Sequence, residues 1–539
     1  MSSSMMADSI LQGGSREAAM MRGQGSSAGG HSIPPRGVAV LAAIVLLVAI
    51  ATFLVGARAI IAYTMDDSFI TFRYAQHVAQ GEGVTWNVGE NPPTEGCTSF
   101  LWLAVMALAA SLHIDMETAS KALGIACVMA TACLVFVAIL RSARFPAACL
   151  GISIFFLNAH LPAHAVSGME TAVALMLATA LFVVVAEYLK RPGVPAACGA
   201  GLLALLLGLA RPEMNLAAGL ALIITLALTS ERARLIAWGL VPYVAGGALY
   251  FVWRWSYFAL AFPLPFYVKQ VGQGLFAGFR PTAAYAIHLW PLSPLLLLFG
   301  VRLWKAHREW VPAVAGVIAI AFYFISPAHI MGSNFRFLYP TFGLAAIGAG
   351  LGVEHLLVRL SGRRALMTAG LLAILAVFTV QQQLRFRLVR EVALGDARGY
   401  DVAFVPLARA LASIDPHGRR TLAISDAGAV PFLSGWKTID TFGLNDRSIA
   451  IHLRSGYDPA RVISAHPDLL VLISNARDTF DPPLPFEALL YTASQDEGYR
   501  RIGSLACADT YHLWLMVRDE TMATVLRSRL LGQGAAFSE

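Results

Sequence analysis

Long apolar runs separated by short polar segments make up most of the chain as far as residue 384. Eleven of these runs have, or come near, the length that a helix needs to cross a bilayer. They lie at about residues 38–62, 119–140, 145–161, 170–189, 195–210, 214–229, 236–256, 283–302, 310–326, 337–357 and 366–384. The pattern predicts a polytopic α-helical membrane protein with about 11 transmembrane helices.

The pattern changes near residue 385, where the sequence becomes mixed polar and charged. Strand-like runs such as RTLAISD and PDLLVLIS occur there. We predict a soluble α/β domain over residues 385–539, which is long enough to bury its own core. Residues 1–36 are rich in Ser, Gly and Met and predict a disordered cytoplasmic tail. The run 38–62 is too long for a signal peptide.

The composition supports a membrane protein. Of 539 residues, 57% are hydrophobic and 14% are charged, whereas soluble proteins carry about 25% charged residues. The net charge of +7 does not indicate nucleic acid, because basic residues on cytoplasmic loops give the same sum. Four of the six cysteines lie in apolar runs, and Cys97 and Cys507 lie in polar segments where a disulfide is one option.

The positions of lysine and arginine decide the orientation of the helices and the status of a twelfth apolar segment, residues 99–113. With a cytoplasmic N-terminus and a segment that does not cross, nearly all basic clusters fall inside, as the positive-inside rule requires. If the segment crosses, the same clusters fall outside. We therefore predict an interfacial or re-entrant helix at residues 99–113, on the outer leaflet. The clusters are Arg141, Arg144, Lys190, Arg191, Arg232, Arg234, Arg302, Lys305, Arg308, Arg359, Arg363 and Arg364.

An adjacent pair of carboxylates, Asp66 and Asp67, follows the first run and falls on the outer side of this topology. Ionised side chains beside a membrane span are costly and usually have a task. The pair could cap the helix predicted for FITFRYAQHVAQ, but a cap needs only one aspartate. The other interpretation is a general base that deprotonates an acceptor hydroxyl, with its pKa shifted by the neighbouring charge.

Three further charged residues on the outer side each have two interpretations. Arg73 could bind phosphate through two hydrogen bonds or form an ion pair. Glu95 could accept hydrogen bonds from sugar hydroxyls or lie in a solvated loop. Glu170 opens a span at SGMET, where it could simply complement the helix dipole.

Basic residues complete the outer-face set. Arg211 and Glu213 in LARPEM could be a structural ion pair at a helix start. Lys269 could be a snorkelling lysine after FPLPFYV, and Arg336 an interfacial anchor. With the acids, they form the mixture that an anionic phosphate headgroup and a hydroxyl to be deprotonated would require.

Several common catalytic motifs do not occur in the sequence. There is no P-loop, GxSxG, HExxH, CxxC or Asp-x-Asp run. Nothing therefore indicates a nucleotide-sugar or nucleotide triphosphate substrate. We predict no bound cofactor and assign no metal ligands.

Five runs over about residues 60–270 carry a resemblance: DDSFITFRYAQHVAQGEGVTWNVGE, TEGCTSFLW, SGMET, LARPEM and YFALAFPLPFYVK. In order and spacing the chain resembles the GT-C class of membrane glycosyltransferases. More specifically, it resembles the terminal β-(1→2)-arabinofuranosyltransferases of mycobacterial cell-wall synthesis and their bacterial relatives. The run DAGAVPFLSGWKTIDTFGLND is similar to the periplasmic domain of that family.

The resemblance implies an inverting glycosyltransferase in a bacterial inner membrane, with its C-terminal domain in the periplasm. The donor would be a polyprenyl-phosphate sugar, with arabinofuranose as one candidate, and the acceptor a glycan, lipid or protein. FPLPFY differs from the arabinofuranosyl pattern, so the sugar stays open. One of the two adjacent aspartates would be the catalytic base. The residues implied to line the donor and acceptor site are Arg73, Glu95, Glu170, Arg211, Glu213 and Lys269, and Arg336 is a further candidate for the phosphate.

Two other functions are consistent with a membrane protein of this kind. A transporter or flippase of lipid-linked sugars would place acids in mid-span at broken helices, whereas these charges cluster at the outer surface. A non-catalytic assembly or sensor protein would leave the acidic pair unexplained. The sequence therefore favours the enzyme, with the C-terminal domain as a hypothetical binding site for a polymeric acceptor.

Overall fold

The membrane part of the chain folds into α-helices, as its apolar runs predict. The computed structural model describes residues 36–269, 276–327, 332–359, 364–535 and 537–538, so the predicted tail lies outside the described residues apart from Arg36. The helices of this part are α1 (Arg36–Ala59), α2 (Asp66–Ala79), α3 (Phe100–Ser111), α4 (Met116–Leu140), α5 (Phe145–Phe156), α6 (Leu161–Val166), α7 (Thr171–Lys190), α8 (Val194–Ala210), α9 (Met214–Leu228), α10 (Arg232–Leu235), α11 (Val241–Phe258), α12 (Leu264–Val268), α13 (Phe279–His288), α14 (Ser293–Ala306), α15 (Val311–Tyr323), α16 (Phe342–Arg359) and α17 (Arg364–Gly399).

Several of these helices are long and apolar enough to cross a membrane. Among the described residues, six stretches pass this test, and α13 and α14 form a further candidate that is bent by 51°. The helices α5, α8 and α9 are apolar but shorter. The chain is therefore a multi-pass membrane protein. The six stretches are Ala39–Ala59, Met116–Leu140, Thr171–Lys190, Arg232–Phe258, Ser333–Val358 and Ala369–Ile414.

Close helix contacts hold the bundle together, and one of them positions an outer loop. A Cβ atom at Gly124 on α4 would lie 2.2 Å from the carbonyl oxygen of Ala165 on α6, so only glycine fits there. Small residues permit this approach of two backbones where lipid provides little hydrophobic drive. The contact fixes α6, and with it the SGMET loop that follows, against the bundle.

The segment predicted to lie at the outer leaflet forms α3, a helix of 12 residues. Such a helix rises about 18 Å, less than the roughly 30 Å of a hydrocarbon core. After α3, the chain returns to the acidic pair, because Glu117 at the start of α4 accepts a hydrogen bond of 2.6 Å from Thr64. We keep the prediction that α3 lies along the outer leaflet.

Three bases at the end of the bundle away from the acidic pair each form an ion pair with one acid. These residues come from the loops predicted to be cytoplasmic. Each pair joins one base to one acid, and the pairs are Arg141–Glu187 at 3.1 Å, Arg144–Glu354 at 2.8 Å and Lys190–Glu309 at 2.9 Å.

The C-terminal domain contains one mixed sheet with helices on both faces. The strand order is β2-β1-β3-β5-β4-β6. β1, β2 and β3 are parallel, while β5 is antiparallel to β3 and β4, and β4 to β6. The elements are α18 (Val405–Ile414), β1 (Thr421–Ile424), α19 (Ala429–Ser434), β2 (Lys437–Asp440), α20 (Arg447–Ala450), α21 (Ala460–Ile463), β3 (Leu469–Ser474), α22 (Pro485–Asp496), β4 (Arg500–Ala508), β5 (Tyr511–Val517), α23 (Glu520–Gly532) and β6 (Phe537–Ser538).

Alternation along the strands separates two cores in this domain. Leu422 and Ile424 of β1 belong to the core that includes α18 and α23. Ala423, between them, belongs to the opposite core together with Leu490 of α22. This is the period of two that a buried strand requires.

A single helical segment links the membrane part to the C-terminal domain. α17 continues through a π-helical turn, Tyr400–Phe404, directly into α18. The boundary proposed at residue 385 therefore falls within a helix. The polypeptide leaves the membrane part without a flexible linker, so the orientation of the helix helps to place the domain.

The domain docks on the loop that follows α2. Asn87 exchanges two hydrogen bonds with Thr438 of the edge strand β2, at 2.8 and 3.0 Å. The indole of Trp86 donates to the same carbonyl at 3.0 Å. These contacts cover polar groups of an edge strand that would otherwise be unpaired, and they bring the domain over the acidic pair.

Candidate active site

The acidic pair lies in the first turn of α2, where negative charge favours a helix N-terminus. A neighbouring loop holds this turn in place. The Met65 amide and the Ser68 hydroxyl both donate to the Ser167 carbonyl, at 2.9 and 2.8 Å. The next residue, Gly168, has a φ of +81°, and a Cβ atom there would lie 2.8 Å from the Ser68 hydroxyl. The SGMET loop is thereby fixed directly beside the acids.

Asp67 forms an ion pair with Arg336, one of the predicted basic residues. The Nη2–Oδ2 distance is 2.8 Å, and the Asp67 side chain is 14% exposed. Nη1 of the same guanidinium contacts the sulfur of Met65 at 3.1 Å. Its Nε is buried and has no acceptor within the described part of the chain, so one donor is left for a ligand.

Arg211 lies between two of the predicted glutamates. Its Nη1 is 2.8 Å from an oxygen of Glu170, and its Nε is 2.7 Å from an oxygen of Glu213. The arginine and Glu170 are almost fully buried, with side-chain exposures of 5% and 6%. Two carboxylates thus neutralise this guanidinium, which makes it the best-compensated cation at this end of the bundle.

An aromatic ring connects the three predicted cations. Arg211, Lys269 and Arg336 each place their charged group 5.1 Å from the centroid of the Phe337 ring. A ring face attracts cations and so lets like charges lie close together. The three cations and Phe337 are called the cation cluster below.

Lys269 is the cation of this cluster that has the fewest partners. Among the described residues, no carboxylate forms an ion pair with its ammonium. The pKa of Lys269 is lowered to about 8 by burial first and by the nearby charge of Arg336 next, against the opposing effect of Asp67 and Glu213. A desolvated ammonium beside other cations gains by binding an anion.

Asp66 has surroundings different from those of Asp67. Its Oδ1 accepts hydrogen bonds from the Tyr400 hydroxyl at 2.6 Å and from the Ala429 amide at 2.9 Å. Burial raises the pKa of Asp66 to about 6, and the charge of Asp67 contributes in the same direction. Neither aspartate makes a capping hydrogen bond to α2 in the part of the chain described, so the capping interpretation is not supported.

Arg73 does not join this cluster. All its described contacts are acceptors on two domains: the carbonyls of Trp86, Pro431 and Trp436 and the side chain of Asn87. The guanidinium is buried and also stacks on the Trp86 ring, at 4.6 Å. Its donors are used in joining the outer loop to the C-terminal domain, which leaves no face for phosphate.

Glu95 also lies outside the cation cluster. It forms a two-point ion pair with Arg254 of α11, with Nε to Oε1 at 2.8 Å, and both side chains are 5% exposed. The carboxylate is therefore neutralised within the protein and is not free to receive sugar hydroxyls. Arg254 was not among the predicted site residues, since it lies inside an apolar run.

A groove of about 400 Å³ lies beside this ion pair, between α8, α9 and α11. Its lining is largely apolar and aromatic, and it reaches Pro212, the residue that follows Arg211. The lining includes Leu205, Leu209, Tyr243, Val244, Tyr250, Phe251 and Phe262.

The structure brings together seven of the nine predicted residues and adds two that the sequence did not indicate. Phe337 follows a predicted arginine, but no spacing marked it. Tyr400 lies 334 residues from Asp66, so no local pattern could connect them. In the described ranges, no three His, Cys, Asp or Glu side chains are arranged to hold a metal ion. The seven are Asp66, Asp67, Glu170, Arg211, Glu213, Lys269 and Arg336.

Comparison with solved structures identifies the fold. ArnT from Cupriavidus metallidurans bound to undecaprenyl phosphate matches 89% of this chain and 98% of its own, with a TM-score of 0.58 and 14% identity. The apo state of the same ArnT gives a TM-score of 0.59, again with 89% of this chain and 98% of its own matched. The archaeal oligosaccharyltransferase AglB from Archaeoglobus fulgidus, in complex with an inhibitory peptide and a dolichol-phosphate, matches 88% of this chain and 74% of its own, with a TM-score of 0.50 and 9% identity. The chain therefore has the GT-C fold.

Sequence comparison is less informative. A family profile described as a domain of unknown function (DUF8728) matches residues 395–523, within the C-terminal domain. A search of curated proteins finds no match. The arabinofuranosyltransferase branch expected from the sequence is thus a proposal, and the GT-C fold is the level at which the expectation is confirmed.

Proposed function

We propose that the chain is a glycosyltransferase that takes its sugar from a polyprenyl-phosphate donor. The observation that carries this proposal is the cation cluster beside two carboxylates, one paired with Arg336 and the other buried among neutral donors. The GT-C neighbours support the choice of donor, because one is bound to undecaprenyl phosphate and another to a dolichol-phosphate.

The donor phosphate would bind at the cation cluster. Lys269 has no carboxylate partner among the described residues, and Arg336 keeps one donor free, so these two side chains are the main phosphate ligands. Arg211, already balanced by two glutamates, mainly holds the cluster in place. The lipid chain would lie in the groove between α8, α9 and α11 and enter it from the membrane.

The reaction is a single displacement. A carboxylate of the acidic pair takes the proton of the acceptor hydroxyl, whose oxygen attacks C1 of the sugar. The bond between C1 and the phosphate oxygen breaks, and polyprenyl phosphate leaves with inversion at C1. The cations stabilise the negative charge that develops on the leaving phosphate, which is where fixed charges contribute most to a rate.

We further propose the side of the membrane and the substrates. The acidic pair and the C-terminal domain face the periplasm of a bacterial inner membrane, since the basic clusters lie at the opposite end. The acceptor is a periplasmic glycan, lipid or protein, and arabinofuranose is one candidate for the sugar.

The test uses purified full-length protein in nanodiscs with a panel of polyprenyl-phosphate sugars. Mass spectrometry follows the release of polyprenyl phosphate and the transfer of sugar to lipid and glycan acceptors. We expect release with one donor and its loss when both aspartates are changed to asparagine. Undiminished release by the doubly substituted protein would reject the assignment of the base.

A further inference from the structure

The C-terminal domain touches the acidic pair directly. The segment from Asp426 to Ala429 follows strand β1, at the carboxyl edge that β1 shares with β2. Its Ala429 amide donates to Oδ1 of Asp66 at 2.9 Å. Gly428 packs so tightly that a Cβ atom there would lie 2.3 Å from the carboxyl carbon of Asp66. No other residue type could occupy that position without moving the carboxylate.

A second contact comes from the helical connection between the two parts of the chain. Tyr400, in the π-helical turn between α17 and α18, donates its hydroxyl to the same Oδ1 at 2.6 Å. Its ring stacks on Phe69 of α2, with 5.7 Å between centroids. Oδ1 of Asp66 thus receives two donors from outside its own helix, and the Gly428 amide is a further backbone donor to this carboxylate.

We propose that Asp66 is the catalytic base and that Tyr400 and the 426–429 segment position it, which makes the C-terminal domain a part of the active site. This inference rests on the proposed function. It assigns a different role to each aspartate. Asp67 holds Arg336 toward the donor phosphate, and Asp66 receives the acceptor proton on Oδ2.

The two ion-pairing patterns support this division. Asp67 forms an ion pair with a guanidinium, with Arg336 at 2.8 Å, so its carboxylate is already engaged by a cation. Among the described residues, no cation forms an ion pair with Asp66, and its negative charge is held by neutral donors, the Tyr400 hydroxyl and backbone amides of the 426–429 segment.

Within the described ranges, acidic and phenolic titratable groups interact with Asp66. Asp67 lies on its own helix, Tyr400 on the connecting turn, and Asp426 on the loop after β1. Asp426 accepts a hydrogen bond of 2.6 Å from Tyr511 on β5. Burial raises the pKa of Asp426 to about 7, with the charge of Asp66 next in importance. The charge of Asp66 thus favours the protonated form of Asp426.

The first test is the pH profile of kcat for Tyr400→Phe. The lost hydrogen bond stabilises ionised Asp66, so its pKa should rise and the acidic limb should move to higher pH by about one unit. At pH 6, kcat then falls about fivefold, while the KM for the donor changes little. The matched control is Tyr499→Phe, which removes a buried hydroxyl bonded to the Pro467 carbonyl at 2.7 Å. The proposal is overturned if the acidic limb of the kcat profile does not move in Tyr400→Phe, or if it moves equally in Tyr499→Phe.

The second test does not depend on activity. Hydrogen–deuterium exchange of a peptide covering residues 427–432 is compared in full-length Asp66→Ala, Asp66→Asn and Asp67→Ala proteins. Alanine at position 66 removes the acceptor of the Ala429 amide and should speed exchange at least tenfold. Asparagine keeps an oxygen and should restore protection, and Asp67→Ala should leave it intact.

The two tests separate the inference from the proposed function. If Asp66→Ala does not alter the exchange, the positioning contact is rejected even for an active enzyme. If the exchange responds as expected but no polyprenyl-phosphate sugar is turned over by the wild-type protein, the contact stands, while the proposed function and the base role fail together.

Discussion

The two ends of the helical bundle differ in how their charged side chains are paired. At the end proposed to be cytoplasmic, each of three bases is paired with one acid. At the outer end, three cations share one aromatic ring, one of them is without an ion pair in the described structure, and a carboxylate is held by neutral donors. Other bases at the first end, such as Arg191, Arg232 and Lys305, are exposed to solvent. Lys269 is instead desolvated beside other cations, so it gains by binding an anion.

The largest effect should come from removing the base. Asp66→Asn is expected to lower kcat by about 10²- to 10⁴-fold, the usual contribution of a general base. Glu187→Gln, which breaks a pair at the opposite end, should leave kcat within about twofold because it touches no substrate. Both values come from steady-state sugar transfer. If kcat fell equally in the two variants, the acidic pair would have no special role in the reaction.

The next effect concerns stability. Arg211→Met leaves two buried glutamates without their cation, and breaking a buried pair in this way costs about 3–5 kcal/mol. Arg141→Met at the other end involves a side chain that is 52% exposed, and such pairs contribute less than about 1 kcal/mol. Thermal unfolding of both variants in one detergent gives the comparison. A smaller loss for Arg211→Met would mean that its glutamates are solvated.

Removal of the Lys269 ammonium should lower the rate of sugar transfer. Lys269→Met is expected to lower kcat/KM for the donor about 10²- to 10³-fold, as the loss of one group that stabilises a developing anion usually does. The control is Lys190→Met, since Lys190 already has Glu309 as partner at 2.9 Å. If Lys269→Met retained full kcat/KM, the phosphate would have to bind elsewhere.

The smallest effect is the dependence of donor binding on pH. The pKa of Lys269 is lowered from 10.5 to about 8, so the ammonium loses its proton as pH rises through 8. The KM for the donor should therefore increase above pH 8 and stay nearly constant between pH 6.5 and 7.5. Measurement across pH 6.5–9.5 tests this, and Lys269→Arg, which stays charged, should abolish the increase.

The hydrophobic pattern was a reliable guide to the elements. The run 38–62 covers most of α1, and the strand-like runs RTLAISD and PDLLVLIS contain β1 and β3. The helix predicted for FITFRYAQHVAQ begins at Asp66. Such predictions succeed because a backbone in lipid must satisfy its own hydrogen bonds, and a buried strand must alternate its side chains. Both are local requirements.

The same reasoning misjudged residues whose partners are distant in the chain. Arg73 was expected near phosphate but joins two domains, and Glu95 was expected near sugar hydroxyls but pairs with Arg254, which is 159 residues away. The optional disulfide between Cys97 and Cys507 is wrong as well, since both thiols are free. A charged side chain has several possible partners in a sequence, and only proximity selects one.

By itself, the sequence indicated a multi-pass helical membrane part, a change of composition near residue 385 and a set of acids and bases expected on one face. The tertiary structure decided what each charge does. Asp66 and Asp67 are neighbours in sequence, yet one contacts a tyrosine 334 residues away and the other an arginine 269 residues away. Their chemistry differs because pKa and hydrogen bonding depend on what lies within a few ångströms, and chain folding alone sets those distances.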